Sequence, residues 1–240
     1  MCTEFFTNTF GIFELVVLIL SFVLYILSFQ FPQNEMHIPP KDPNANFPKS
    51  TELKFYENVL YMYVLFFPLV LLVLKIICIC LTTKKIRNFK YFPCVWISLT
   101  SVFLSLSIAN CIRNMVGYPK PDTFFACGYD FHIGKCQKKL TNKFTLFISY
   151  PSFESVIIMS IAMNLVSIFQ FVFPLFNIPC IVFLFLGIYF GTNTIKHFNS
   201  HPEDVSAALF VGFLVTNFIW NNAKNRISVK VEQNYTSMYY

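Results

Sequence analysis

Six apolar stretches divide this 240-residue chain, and their lengths leave it little choice but to fold across a lipid bilayer. They run from about Gly11 to Phe29, Leu60 to Leu81, Phe92 to Ile112, Val156 to Phe173, Ile178 to Phe190 and Val205 to Ile219. A bilayer core takes ~20 residues of helix, with about 17–25 tolerated, so the first four cross it unaided. The last two reach that length through the uncharged flanks Gly191–Thr194 and Trp220–Asn222. Joining them into one re-entrant hairpin would place Lys196, His197, His201, Glu203 and Asp204 in hydrocarbon, where charge is costly. The expected architecture is an all-α polytopic bundle, a single membrane domain over 1–240. Its helices are expected at about 11–29, 56–81, 92–112, 152–173, 178–194 and 204–222, with a tail at 223–240.

Composition supports the same class. Hydrophobic residues are 55% of the chain, charged residues 12%, and Phe occurs 31 times, more than the core of a soluble domain this size can use. The net charge of +6 is spread over several loops with no basic soluble module, so no nucleic-acid partner is expected. The first stretch carries Glu4 and Glu14 instead of a basic leader, and no small-x-small site follows Phe29, so it reads as a retained anchor.

Orientation rests on Lys84, Lys85, Arg87 and Lys90, a basic cluster in a short loop that belongs in the cytoplasm. Both termini then face the cytoplasm, in an endomembrane or the plasma membrane. Loops 30–55, 113–150 and 191–204 face outward or into a lumen, the first holding the Pro-rich, polyproline-like stretch Pro32–Pro48. Against the positive-inside bias, loop 113–150 gathers Arg113, Lys120, Lys135, Lys138, Lys139 and Lys143, as an anionic ligand would require. Cys127 and Cys136 share this loop, with Gly128 and Gly134 between them to turn the chain, and are expected to form a disulfide in an oxidising compartment. The other six cysteines lie in or beside apolar segments or on the cytoplasmic side. With His132 the only nearby imidazole and no Cys-x-x-Cys pair, neither a metal nor another cofactor is expected. The sequon Asn234-Tyr235-Thr236 falls in the cytoplasmic tail and should go unused.

Three outer-side constellations bear on function. Arg113 and Lys120-Pro121, after the third stretch, place two cations where they can hold a lipid phosphate or snorkel to headgroups. Pro151-Ser152-Phe153-Glu154 opens the fourth helix, whose amide N-terminus is a ready anion site or a plain start capped by Ser152. Asn199-Ser200-His201-Pro202-Glu203-Asp204 opens the sixth, with acidic residues in its first turn.

Taken together, these resemble the lipid phosphate phosphatases of the type 2 phosphatidic acid phosphatase superfamily. That family carries Lys-x6-Arg-Pro after helix three, Pro-Ser-Gly-His before helix four and Ser-Arg-x5-His-x3-Asp before helix six. Here the first reads Arg113-x6-Lys120-Pro121 with Gly117 inside, the second Pro151-Ser152-Phe153-Glu154, and the third Asn193-Thr194-x5-Ser200-x3-Asp204. The resemblance runs from about residue 60 to 220. It implies a six-helix fold and a site that works without metal, in which a histidine attacks phosphorus, an aspartate orients it, a second histidine protonates the leaving group and three cations hold the phosphoryl oxygens. Carried over by position, Arg113, Lys120, Ser152 and Asp204 remain. Ser200 stands at the nucleophile, Glu154 at the general acid and Thr194 at the second arginine. His201, one residue along, is the one candidate for a displaced nucleophile. The reading is a lipid phosphate phosphatase-like membrane protein with an impaired site, binding anionic lipid or a membrane partner. An active phosphatase for phosphatidate-like lipid phosphates and a small channel or transporter are the alternatives; the sequence leaves oligomeric state open.

Overall fold

The computed structural model describes residues 11–32, 58–80, 89–123, 125, 128–130, 135–136, 149–174, 177–196 and 200–227. Six helices carry the fold: α1 (Ile12–Ser28), α2 (Val59–Cys80), α3 (Tyr91–Val116), α4 (Phe153–Val172), α5 (Ile178–Lys196) and α6 (Pro202–Ile227). Between α3 and α4 lies one two-stranded ribbon, β1 (Tyr129–Asp130) against β2 (Lys135–Cys136), with Tyr129 opposite Cys136. Helices α2 to α6 are long and apolar enough to cross a membrane, and α1 falls just short at 17 residues. Residues 1–10, 33–57 and 228–240 lie outside the described residues, and with them the Pro-rich loop and the sequon. So do Lys84, Lys85 and Arg87 and the side chains of Cys127 and Cys136, hence the orientation cluster and the disulfide.

Burial sets the layering. Helices α3 and α4 form the centre, α1 lies on α3, α5 and α6 lie on α4, and α2 bridges α3 and α4 at the flank. The outward faces of α1, α2 and α5 are large apolar side chains such as Leu20, Leu65 and Phe185, as a hydrocarbon solvent favours.

Close approach depends on small residues, because lipid gives apolar helices no reason of their own to associate. A Cβ on Gly212 would stand 2.9 Å from the Val156 carbonyl oxygen and 3.0 Å from Met159 Cβ, so α6 meets the α4 backbone there. A Cβ on Gly187 would come within 2.5 Å of Ala162 Cβ, which does the same for α5. In α3, Ser98, Ser105 and Ser107 turn their hydroxyls back on the carbonyls of Cys94, Ser101 and Phe103, so these three bury with their donors satisfied.

One polar node ties four helices at mid-depth. Asn164 of α4 donates to Tyr63 Oη (2.9 Å) and the Ser98 carbonyl (3.2 Å), and its Oδ1 accepts from Ser101 Oγ (3.0 Å) and Trp220 Nε1 (2.6 Å). Away from the motifs, Glu14 of α1 pairs with Arg226 of α6 at 3.2 Å, and Lys75 of α2 bonds the Phe89 carbonyl. The start of α1 and the end of α6 therefore share one end of the bundle. The two charges that the sequence places inside apolar spans, Glu14 and Lys75, are both engaged in holding helix ends there.

Two helices outrun their apolar stretches. Helix α3 continues to Val116 because Asn110 and Asn114 reach α1, Nδ2 to Ser28 Oγ and to the Ser28 carbonyl, both at 2.9 Å. Gly117 then ends it at φ 62°, its N–H on the Arg113 carbonyl at 2.9 Å. Helix α6 runs to Ile227, whose carbonyl accepts the Lys90 N–H at 3.0 Å.

Replacing Asn164 by Leu should cost about 1–3 kcal/mol, since Trp220 Nε1 and Tyr63 Oη would each lose a buried partner. Thermal unfolding in detergent should show a clearly lowered midpoint for Asn164→Leu. Asn221→Leu, at an exposed position of α6, should leave it unchanged.

Candidate functional site

The left-handed turn at Gly117 reverses the chain at the end of α3, and the returning strand is stitched to it by Ser149 N–H on the Tyr118 carbonyl at 3.0 Å. From there the segment 149–152, with a cis Tyr150–Pro151 bond, runs against the start of α6. Ser152 N–H donates to the Asp204 carbonyl at 3.1 Å, and Ser149 Oγ donates a short hydrogen bond to Asp204 Oδ2.

Asp204 in turn organises its own helix. Pro202 occupies the first helical position, which has no use for an N–H, and Asp204 Oδ2 reaches back to the His201 N–H at 2.8 Å. This back-bond accompanies a start to α6 three residues ahead of its apolar stretch. Asp204 is fully buried, and its Oδ1 has no hydrogen-bond partner among the described residues.

Above Asp204 lies a cluster of four buried hydroxyls from three helix ends. Ser200 Oγ is 3.0 Å from Ser152 Oγ, Ser155 Oγ is 3.0 Å from Ser152 Oγ, and Ser155 Oγ is 3.3 Å from Thr194 Oγ1. The Gly191 carbonyl closes the chain, accepting from Ser155 and Thr194, each at 2.9 Å. A hydroxyl has one hydrogen to give and two lone pairs, so Ser155 can donate to the Gly191 carbonyl while accepting from a hydroxyl neighbour. Glu154 touches the cluster weakly, its Oε2 3.5 Å from Ser152 Oγ. Ser152 precedes α4, but its hydroxyl makes no cap bond to that helix and serves the cluster instead.

The cations are placed differently from a phosphate clamp open to solvent. Arg113 lies inside α3 with 7% of its surface exposed, its guanidinium carbon 5.1 Å from the centre of the Phe153 ring. It does not snorkel. The carboxylates near enough to act on it are those of Glu154 first and then Asp204. Lys120 is half-buried in the turn after α3, where its carbonyl accepts from Thr123 N–H (3.1 Å) and Thr123 Oγ1 (2.7 Å).

His201 is held away from the nucleophile position. Its Nε2 is 3.2 Å from the Pro119 carbonyl and its ring meets Tyr118 edge-on at 5.2 Å. Asp204 contacts the His201 backbone, leaving the imidazole without the carboxylate that would orient it. The fold thus brings together Ser152, Glu154, Thr194, Ser200 and Asp204, sets Arg113 against the Phe153 ring, and turns His201 toward the 117–120 turn. Ser149 and Ser155 are members that the motif spacing does not single out. For Ser155 a signal existed, since it follows Ser152 by three residues at the head of one helix; Ser149 has no such local mark.

The sequence profile of the PAP2 superfamily matches residues 94–228, from the first turn of α3 to the end of α6. The chain belongs to the PAP2 superfamily. The matched span contains all three motif positions and leaves α1 and α2 outside it. Neither the curated proteins nor the solved structures contain a match to it. Membership supports an integral membrane helical bundle of the phosphatidic acid phosphatase type.

Because Asp204 serves Ser149, His201 and the cap of α6 together, Asp204→Ala should destabilise the protein by about 1–3 kcal/mol. Asp204→Asn keeps an acceptor for the cap and should lose less. Thermal midpoints in the order wild type, Asn, Ala are expected. Equal midpoints would remove Asp204 from its structural role.

Proposed function

We propose that this protein is a pseudo-phosphatase of the PAP2 superfamily, which holds the headgroup of an anionic membrane lipid at the motif end of the bundle without cleaving it. The observation that carries this reading is the 3.0 Å contact between Ser200 and Ser152. By motif spacing Ser200 takes the place of the attacking histidine, and its neighbour is another neutral hydroxyl, Ser152, which the Glu154 carboxylate reaches only at 3.5 Å. A serine nucleophile needs an adjacent general base to be activated. The one nearby buried carboxylate, Asp204, is already bonded to Ser149 and to a backbone N–H.

Electrostatics favour the same reading. Transfer of a phosphoryl group depends on cations aimed at its equatorial oxygens. Of the two that remain, Arg113 is buried against the Phe153 ring and is acted on by the charge of Glu154, which competes with a transferring phosphoryl group for it. Arg113 and Lys120 still favour an anionic headgroup over a neutral one.

Purified protein offered phosphatidate, lysophosphatidate and a sphingoid phosphate should release no phosphate above the detergent blank. Ser200→His, Glu154→His and Thr194→Arg introduced together with Phe153→Gly, which uncovers Arg113, should restore measurable turnover. Each change alone should not, because the groups of a catalytic unit act non-additively. Wild-type turnover that is abolished by His201→Ala would replace this reading with that of an active enzyme.

A further inference from the structure

Between Asp204 and Lys224 helix α6 carries no charged residue, a span of about 30 Å at ~1.5 Å per residue, which matches a hydrocarbon core. Two carboxamides on its outer side lie within that span, Asn217 about 10 Å from Lys224 and Asn221 about 5 Å from it. We propose that the outer face of α6 is an interface with a second copy of this chain, in which Asn217 and Asn221 hydrogen-bond to their own counterparts. The inference does not depend on the headgroup reading.

Three observations carry it. The first is an unfinished polar pair. Asn221 Nδ2 donates to Asn217 Oδ1 at 3.1 Å, which leaves both hydrogens of Asn217 Nδ2 and the Asn221 Oδ1 unbonded among the described residues. Turning both amides over exchanges donor and acceptor and leaves the same complement. Lipid offers such groups no partner, and neither α1 nor α2 carries an Asn or Gln anywhere along its length.

The second is periodicity. Ala207, Phe210, Leu214, Asn217 and Asn221 recur at alternating intervals of three and four residues, the spacing of a seam between two supercoiled helices. Phe210 is 63% exposed and Leu214 44%. The opposite side of α6, with Ala208, Gly212, Thr216 and Trp220, is already buried against the bundle. The stripe is therefore a second face that the monomer does not use.

The third selects the partner. Two copies inserted with one orientation in one membrane can pack α6 on α6 only in parallel, about a two-fold axis along the membrane normal, and each residue of the seam then stands opposite itself. A carboxamide is donor and acceptor in one group, so it can bond a copy of itself at the same depth, as a lone carboxylate or ammonium cannot. A different membrane protein would have to bring a polar group of its own to each of two fixed depths. Phe210 and Leu214 face lipid without loss; the two asparagines do not.

The test uses the full chain in phosphatidylcholine liposomes at high dilution, with the photoreactive residue p-benzoylphenylalanine in place of Phe210 or, as a control on the lipid face of α5, in place of Phe185. The Phe210 position should yield covalent dimer at least fivefold above the Phe185 position. Asn217→Leu with Asn221→Leu should lower that dimer at least fivefold, while Asn217→Gln with Asn221→Gln, which keeps donor and acceptor, should retain most of it. In detergent, at a dilution where the wild type is monomeric, the double Leu variant should keep the wild-type thermal midpoint, since neither amide bonds another helix. Stepwise photobleaching of singly labelled wild-type chains in the same liposomes should give two steps per particle, without any photoreactive residue. Dimer that forms equally from both positions, or that survives the double Leu substitution, would overturn the interface. Single bleaching steps, with crosslinks in native membranes to other proteins alone, would overturn the second copy as its occupant.

Discussion

A carboxylate at the start of a buried helix must be satisfied where it stands, and Asp204 meets that demand by drawing three segments together. Its side chain takes the Ser149 hydroxyl and the His201 N–H, and its carbonyl takes the Ser152 N–H. These bonds fix the start of α6 against the start of α4, and the Ser149 N–H carries the connection on to Tyr118 after α3. The three motif regions are thus placed by one buried anion and the backbone around it. An unpaired charge there would cost several kcal/mol, which makes the arrangement hard to relax.

The lower bundle holds this end in position by different means. Apolar side chains cannot distinguish a neighbouring helix from lipid, so packing at Gly187 and Gly212 and the Asn164 node supply what the hydrophobic effect does not. The node fixes the register of α2, α3, α4 and α6 through donors that have no alternative partners in hydrocarbon. The Glu14–Arg226 pair closes the far end, where the position of α1 would otherwise depend on α3 alone.

Much of the fold could be read from the sequence because apolar length is a local property. Helices α2, α4 and α5 start and stop within a few residues of the helices expected of them. The misjudged ends are those fixed by distant residues: Asn114 is helical because Ser28, 86 positions earlier, accepts from it. The site was legible only through the spacing of a family pattern, which marks positions but not what their side chains touch. Nothing local says that Asp204 binds a backbone N–H in preference to an imidazole, that Phe153 covers Arg113, or that Ser149 belongs to the site at all.

Those contacts also bear on why so altered a site keeps its fold. A phosphate clamp gathers cations that repel one another until the anion arrives, and burying them unliganded is costly. Here Glu154 answers Arg113, Thr194 takes up a neutral bond to the Gly191 carbonyl, and Ser200 fills its place with a hydroxyl bonded to Ser152. On the reading proposed above, each departure from the family pattern replaces a group that needs a ligand with one bonded from within. On the same reading, the hydroxyl cluster bonds within itself when empty, and Arg113 and Lys120 are the groups left to draw an anionic headgroup to it. A site of this kind gains stability in the empty state at the expense of the charge that phosphoryl transfer requires, in keeping with the trade between stability and activity at strained catalytic centres. The same side chains cannot serve both ends, because the charge that would stabilise a transferring phosphoryl group is the charge that an empty buried site cannot hold.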